Sequence, residues 1–203
     1  SKTFSAVLSQ SFKPNEIIII DSSKSEKIKN FVENISTNIS IKYIPEKNKY
    51  PGEARNIGVS KSNNEWIAFL DSKTIPIKNW LKEFSEEIKK NNYDIIFGST
   101  KYLYKSSIQE KFRAATFGNV RHITTPGTII KKKILLNNNL FIENVRTADD
   151  LEWRQRLISK NYLIKFPDKT YLIYENLSNN FFDLLKRYFI YSFHTAQVNV
   201  ENK

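Results

Sequence analysis

Glu16-Ile-Ile-Ile-Ile-Asp21 and Glu65-Trp-Ile-Ala-Phe-Leu-Asp71 decide the fold class. Each is a short, unbroken apolar run that ends on an aspartate. Such runs are strands covered on both faces, which is the habit of parallel sheets sandwiched between helices. The surrounding sequence supplies the helices. Ser1 to Phe12 has Phe4, Val7 and Leu8 at helical spacing, and Pro14-Asn15 ends it. Ser25 to Ile35 predicts a second helix with Ile28, Phe31, Val32 and Ile35 on one face. Ile39 to Ile44 alternates as a strand, and Gly52 to Ser60 predicts a helix carrying Ala54, Ile57 and Gly58 inward. Trp80 to Lys90 is helical and Tyr93 to Gly98 a strand. Strands and helices alternating in this way predict an α/β protein: a mixed, mostly parallel sheet with helices on both faces.

The chain has 203 residues, 40% hydrophobic and 26% charged, enough for one domain with a core. No apolar run approaches the ~18 residues of a membrane-spanning helix, and no basic-then-apolar start reads as a secretory signal. With no Cys and only 2 His, disulfides, thiolate zinc sites and His-rich metal sites are excluded. Carboxylates, amides and backbone remain as metal ligands. Lys and Arg exceed Asp and Glu by 32 to 21. That surplus suits phosphate-bearing partners, anionic membrane surfaces or nucleic acid. The Lys residues are scattered, however, and no nucleic-acid motif accompanies them, so no nucleic-acid partner is expected.

Ligands of open α/β sheets bind beyond the carboxyl ends of the strands, where Asp21 and Asp71 both fall. One such aspartate more commonly starts a turn or caps a helix. Two on one sheet edge make a candidate site.

Four blocks then resemble the family 2 glycosyltransferases. Ser9-Gln-Ser-Phe-Lys-Pro-Asn-Glu-Ile-Ile-Ile-Ile-Asp21-Ser-Ser is similar to that family's first helix and second strand. Pro51-Gly-Glu-Ala-Arg-Asn-Ile-Gly58 resembles its G-x-x-x-A-R-N-x-G, and Trp66-Ile-Ala-Phe-Leu-Asp-Ser72 its Y-I-x-F-L-D-S-D. Ala148-Asp-Asp-Leu-Glu-Trp-Arg-Gln-Arg-Leu157 is similar to its G-E-D-x-D-L-x-x-R-L. The order is that of the family, and the blocks span most of the chain.

The resemblance implies a GT-A, Rossmann-like fold over residues 1–175. It implies transfer of a sugar from a nucleoside-diphosphate sugar, commonly a UDP-sugar, to a glycan or lipid-linked acceptor. Carried over by position, Asp150 is the general base with Asp149 beside it. Asp21 meets the nucleoside, Arg55 falls at a donor-binding position, and Asp71 opens the D-x-D motif that holds ribose and a divalent cation. The leaving group is a nucleoside diphosphate whose growing charge needs a cation or hydrogen-bond donors. Mg²⁺ and Mn²⁺ prefer the oxygen ligands this chain offers. Read without the other blocks, Asp149-Asp150 are acids complementing a helix N-terminus over Leu151 to Ile158.

Three departures qualify that carry-over. The D-x-D motif reads Asp71-Ser72-Lys73, and a protonated Lys cannot ligate a cation but can neutralise a diphosphate directly. The family's late Tyr-His is Tyr174-Glu175, so Glu175 is the second candidate metal ligand beside Asp71. The family's opening strand has no counterpart, so the chain reads as an N-terminally truncated domain, poorly soluble and inactive alone. These departures keep open a catalytically degenerate GT-A protein with weak nucleotide binding.

Softer features complete the reading. Thr124-Thr-Pro-Gly-Thr128 is a donor or acceptor loop or a plain turn; His122, Trp66 and Trp153 are structural. Residues 176–203 hold an amphipathic helix rich in Phe, Leu and Tyr, set either on the domain or in a membrane interface. A cytoplasmic location, peripheral on the inner face of the membrane, follows from this set of expectations.

Overall fold

The computed structural model describes residues 2–23, 25–117 and 122–198. In chain order the elements are α1 (Lys2–Leu8), β1 (Glu16–Asp21), α2 (Lys27–Glu33), β2 (Ser40–Pro45), α3 (Pro51–Lys61), β3 (Trp66–Ala68), β4 (Thr74–Pro76) and α4 (Trp80–Asn91). There follow β5 (Ile95–Tyr102), α5 (Ser107–Phe117), β6 (His122–Lys131), α6 (Lys132–Leu136), α7 (Asp149–Ile158), β7 (Ile164–Lys165), β8 (Leu172–Tyr174) and α8 (Phe181–Ala196).

The sheet is mixed and lies in two parts. The larger has the order β3-β6-β5-β8-β4, with β7 also paired to β5. Antiparallel pairing enters because β6 runs against both of its neighbours, while β5 is parallel to β7 and β8. Alternation along β5 supplies two cores. Ile95 and Phe97 face α3 and α7, packing with Val59, Trp153 and Leu157. Ile96 faces α4 and packs with Trp80, Leu81 and Phe84. Both tryptophans of these clusters also find a partner for their indole N–H, Trp153 on the Asn139 carbonyl and Trp80 on that of Gly127.

The smaller part is the parallel pair β1 and β2, in register from Glu16↔Ser40 to Asp21↔Pro45. Among the described residues, β1 pairs with β2 alone and β3 with β6 alone. Ile17, Ile18 and Ile20 on one side and Trp66, Ile67 and Ala68 on the other line a cavity of about 1190 Å³ between the two parts. The expectation of a doubly covered strand at Ile17–Ile20 is corrected here. These isoleucines are only half-buried, since one edge of the strand opens on the cavity.

Other expectations are corrected locally. In α3 the buried face is Gly52, Asn56 and Val59, while Ala54 and Gly58 turn toward the cavity and Ile57 is half-buried. Phe31 meets Phe4 edge-on at 5.4 Å, yet no residue of α2 is buried, so its apolar stripe covers little. Thr124–Thr128 is neither a turn nor a ligand loop. It lies inside β6, wholly buried. Only glycine permits that path: a Cβ on Gly98 would sit 2.1 Å from the Pro126 carbonyl oxygen, and Gly127 has φ +88°. Turn residues inside a buried strand mark a close backbone crossing rather than a reversal of the chain.

In α8, Leu184 packs with Phe112 and Leu177. Phe181, Leu185, Phe189 and Phe193, spaced by four, form an exposed stripe beside Phe182. Among the described residues no helix is long and apolar enough to cross a membrane; residues 199–203 of the C-terminal segment lie outside them.

Candidate active site

The start of α3 explains most of the site. Pro51 opens the helix, where its fixed φ suits the first turn. Glu53 reaches back to the Tyr50 backbone N–H at 3.1 Å. Gly52 then lets the helix touch the segment preceding α7: a Cβ there would fall 2.3 Å from the Ile142 carbonyl oxygen and 3.5 Å from Asp149 Oδ2. Asn56 fastens the same segment. Its amide donates to the Phe141 carbonyl at 2.9 Å and accepts from the Phe141 N–H at 2.9 Å.

That docking brings Arg55 between two carboxylates. Its Nη1 donates to Asp149 Oδ2 at 2.6 Å and its Nη2 to Asp71 Oδ1 at 3.2 Å, and its guanidinium lies 5.2 Å from the centre of the Phe141 ring. Burial works against the charged guanidinium, and Asp71, Asp149 and Asp150 outweigh it, so its pKa is raised.

Two adjacent carboxylates thus sit in different environments. Asp149 is buried, and burial, opposed by Arg55 and helped by Asp150 and Asp71, pushes its pKa up to about 6. Asp150 is half-buried on the first turn of α7. One helical turn on, Arg154 donates to the Ile123 carbonyl at 2.6 Å; burial lowers its pKa against the field of Asp150. Both acids lie where a helix N-terminus favours negative charge, so their helix-end role and their place in the cluster coincide. The backbone that presents them is unusual. Ala148 has φ 68° and is fully buried, a left-handed conformation costly for a residue with a Cβ.

Asp71 begins the turn that joins β3 to β4. Its carbonyl accepts from the Thr74 N–H at 3.0 Å and the Thr74 hydroxyl at 2.8 Å. Thr3 Oγ1 donates to the Ser72 carbonyl at 2.8 Å. The turn is therefore fixed, and Lys73 projects from it, exposed. Arg55, Asp71, Lys73, Arg146, Asp149 and Asp150 all line the cavity. Tyr174 and Arg187 line it as well.

The other two candidates are engaged elsewhere. Asp21 ends β1, with its carboxylate accepting from the Ser23 N–H at 2.9 Å and from the Tyr43 hydroxyl at 2.9 Å. Burial opposes its charge and these bonds outweigh it, so its pKa is lowered. Glu175 accepts from Lys2 Nζ at 2.7 Å, and that contact lowers its pKa.

The fit of a divalent cation follows from this donor set. Asp71 is committed to Arg55, Lys73 stands two residues on, and Glu175 is committed to Lys2. Among the described residues no three of His, Cys, Asp and Glu form a group that could hold a metal ion. The residues present do not fit a resident divalent cation.

Sequence reading overlooked Asn56, Ala148, Arg146 and Arg154. Asn56 and Ala148 were inside quoted blocks and carried a signal, the first as a polar residue on a helix face that docks, the second as a side chain where the similar motif has Gly. Arg146 and Arg154 carry none, because only the path of the chain before and along α7 turns Arg146 to the cleft and Arg154 to the Ile123 carbonyl.

An α/β scaffold with acidic and basic side chains gathered beyond its strand ends has its candidate site where open α/β sheets bind their ligands. The chain belongs to glycosyl transferase family 2, whose model matches residues 1–146. A glycosyltransferase of Rickettsia bellii (strain RML369-C), described as uncharacterized, is 30% identical over 173 residues, covering 80% of this chain and 25% of that protein. Poly(ribitol-phosphate) β-N-acetylglucosaminyltransferase TarP of Staphylococcus aureus (strain N315) is 25% identical over 201 residues, covering 88% of this chain and 60% of TarP. The chain thus spans about a quarter of the Rickettsia relative's length. The crystal structure of S. aureus TarS 1-349 in complex with UDP-GlcNAc matches with a TM-score of 0.68 at 18% identity, covering 98% of this chain and 63% of that one. The fold is GT-A, as the sequence blocks implied.

Proposed function

We propose that this chain carries the catalytic face of an inverting glycosyltransferase that uses a nucleoside-diphosphate sugar. The observation that carries the reading is the gathering of Arg55, Asp71 and Asp149 into one hydrogen-bonded cluster, with Asp150 on the same cleft. TarS, of the same fold, has crystal structures in complex with UDP and with UDP-GlcNAc, which favours a UDP-sugar as donor.

In this reading Asp150 accepts the proton of an acceptor hydroxyl as that oxygen attacks the anomeric carbon. The bond from that carbon to the diphosphate oxygen breaks, the electron pair leaves with the diphosphate, and one displacement inverts the centre. Asp150, half-buried on the first turn of α7 and lining the cleft, is the carboxylate that takes this proton in the proposed step. Asp149, buried and clamped, positions Arg55 and through it Asp71. The acceptor is a glycan or lipid-linked hydroxyl, and the reaction runs on the cytoplasmic side of the membrane, with the exposed stripe of α8 toward its inner face.

Asp150→Asn tests the assignment in a longer form of the protein that shows transfer. Turnover falls by roughly 10²–10⁴-fold, the worth of a positioned base, while donor affinity stays within twofold. Unchanged turnover would move the base elsewhere or remove the activity from this site.

A further inference from the structure

Resting on that reading of the cleft, we propose that the donor's diphosphate is neutralised by side-chain cations of this chain, Lys73 foremost, in place of a divalent cation. Three observations converge. First, the two candidate metal ligands are paired: Arg55 holds Asp71, together with Asp149, and Lys2 holds Glu175. A cation at Asp71 would have to displace a guanidinium and would find an ammonium two residues along the turn. Second, Lys73 is well placed and uncommitted. The turn from Asp71 to Thr74 is pinned by both donors of Thr74 and by Thr3, so the Lys73 backbone is fixed at the carboxyl end of β3. Among the described residues Lys73 pairs with no carboxylate. Third, the charge balance of the cleft is set for an anion. Lys13, Arg55, Lys73, Lys89, Arg146, Lys186 and Arg187 line the cavity against Glu16, Asp71, Asp149, Asp150 and Asp183, so cations remain in excess after Arg55 is set against its two carboxylates.

The chemistry of the leaving group agrees. Breaking the glycosidic bond leaves an additional negative charge on the β-phosphate. A fixed ammonium that meets it does the electrostatic work of a metal without needing a carboxylate set. Lysine acts on phosphate as a compact point charge with three donors, which suits a diphosphate whose oxygens shift as the bond breaks. Lys73 and Glu175 stand at the two positions where the resemblance implies metal ligands, and with Glu175 paired to Lys2 they make a consistent site instead of a damaged one.

Calorimetric titration of the longer form of the protein with UDP and with UMP, each in Mn²⁺ and in EDTA, tests the proposal. UDP affinity is expected to agree within twofold between Mn²⁺ and EDTA. Lys73→Ala should weaken UDP by roughly ten- to a hundredfold, the usual worth of a charge-assisted contact, and UMP far less. Lys73→Arg should recover most of the loss. Because Lys73 is exposed on the turn, these variants are expected to keep the parent's far-UV circular dichroism and melting temperature. Lys73→Asp carries the sharpest expectation: its UDP binding should require Mn²⁺ and vanish in EDTA. UDP binding that EDTA abolishes in the unmutated chain, or that survives Lys73→Ala unchanged, overturns the inference and leaves the proposed function standing. Absence of binding by any nucleoside diphosphate under either condition overturns both.

Discussion

The isoleucines of β1 and those of β5 are alike in composition and unlike in fate. Ile95 and Ile96 are fully buried between helices, with pairing partners on both edges of their strand. Ile17 to Ile20 are half-buried, paired on one edge only, and open to the cavity on the other. The difference teaches that a strand's stability here comes from what flanks it rather than from its own propensity. Beside the packing of α3 on β1, polar bonds tie the β1–β2 pair to the rest. Glu16 accepts from Lys42 at 2.8 Å, from the Asn63 N–H at 2.7 Å and from the Asn64 amide at 2.7 Å, joining β1 both to β2 and to the segment entering β3.

Removing a large side chain from each region should separate them most. Trp153→Ala empties a site shared with Phe69, Phe97 and Phe141 and deletes the bond to Asn139. It is expected to cost about 3–5 kcal/mol, whereas Ile18→Ala, half-exposed already, should cost about 1 kcal/mol. Urea denaturation measures both, and equal losses would abolish the distinction.

Glu16→Gln comes next. Burial works against the Glu16 charge, and Lys42, Asn63 and Asn64 more than offset it, lowering its pKa to about 2. A carboxylate depressed on folding contributes stability that is present above its unfolded pKa, 4.5, and lost as pH falls through about 2. The variant should therefore be weaker by roughly 2–3 kcal/mol at pH 7, with the gap closing toward pH 2. In hydrogen exchange the amides of β1 should open well before those of β5, and the variant should widen that interval.

The active-site acid has the opposite sign. Asp149 has a folded pKa raised from 3.8 to about 6, so its contribution is present below 3.8 and lost as pH rises through about 6. Unfolding measured from pH 4 to pH 6 should show this decline, and Asp149→Asn should flatten it. A parent curve already flat over that range would show that burial of Asp149 is relieved in solution.

The smallest expected effect is at Ala148. Ala148→Gly relieves a left-handed φ of 68°, worth about 1–2 kcal/mol locally. The greater freedom of glycine in the unfolded chain offsets part of it, leaving a gain of about 0–1 kcal/mol. A loss in melting temperature would show that the Ala148 methyl packs more than its backbone strains.

By itself the sequence determined β1, β2, β3 and the start of β5, because short, unbroken or alternating apolar runs have no good alternative to a sheet. It also determined the class of site, since aspartates at strand ends and a basic helix residue resemble a family whose order of blocks this chain keeps. Only the tertiary structure decided who pairs with whom. Arg55, Asp71 and Asp149 are distant in the chain, and their contact depends on Gly52 having no Cβ and on Asn56 gripping Phe141. Periodicity records which face of an element is apolar and carries no information about what covers it. That is why the strand at Ile17–Ile20 was readable and its half-burial was not, and why Thr124–Thr128 read as a turn. Gly98 and Gly127 are 29 residues apart in the chain, and their close crossing, which keeps that segment in a strand, exists only once β5 and β6 have met.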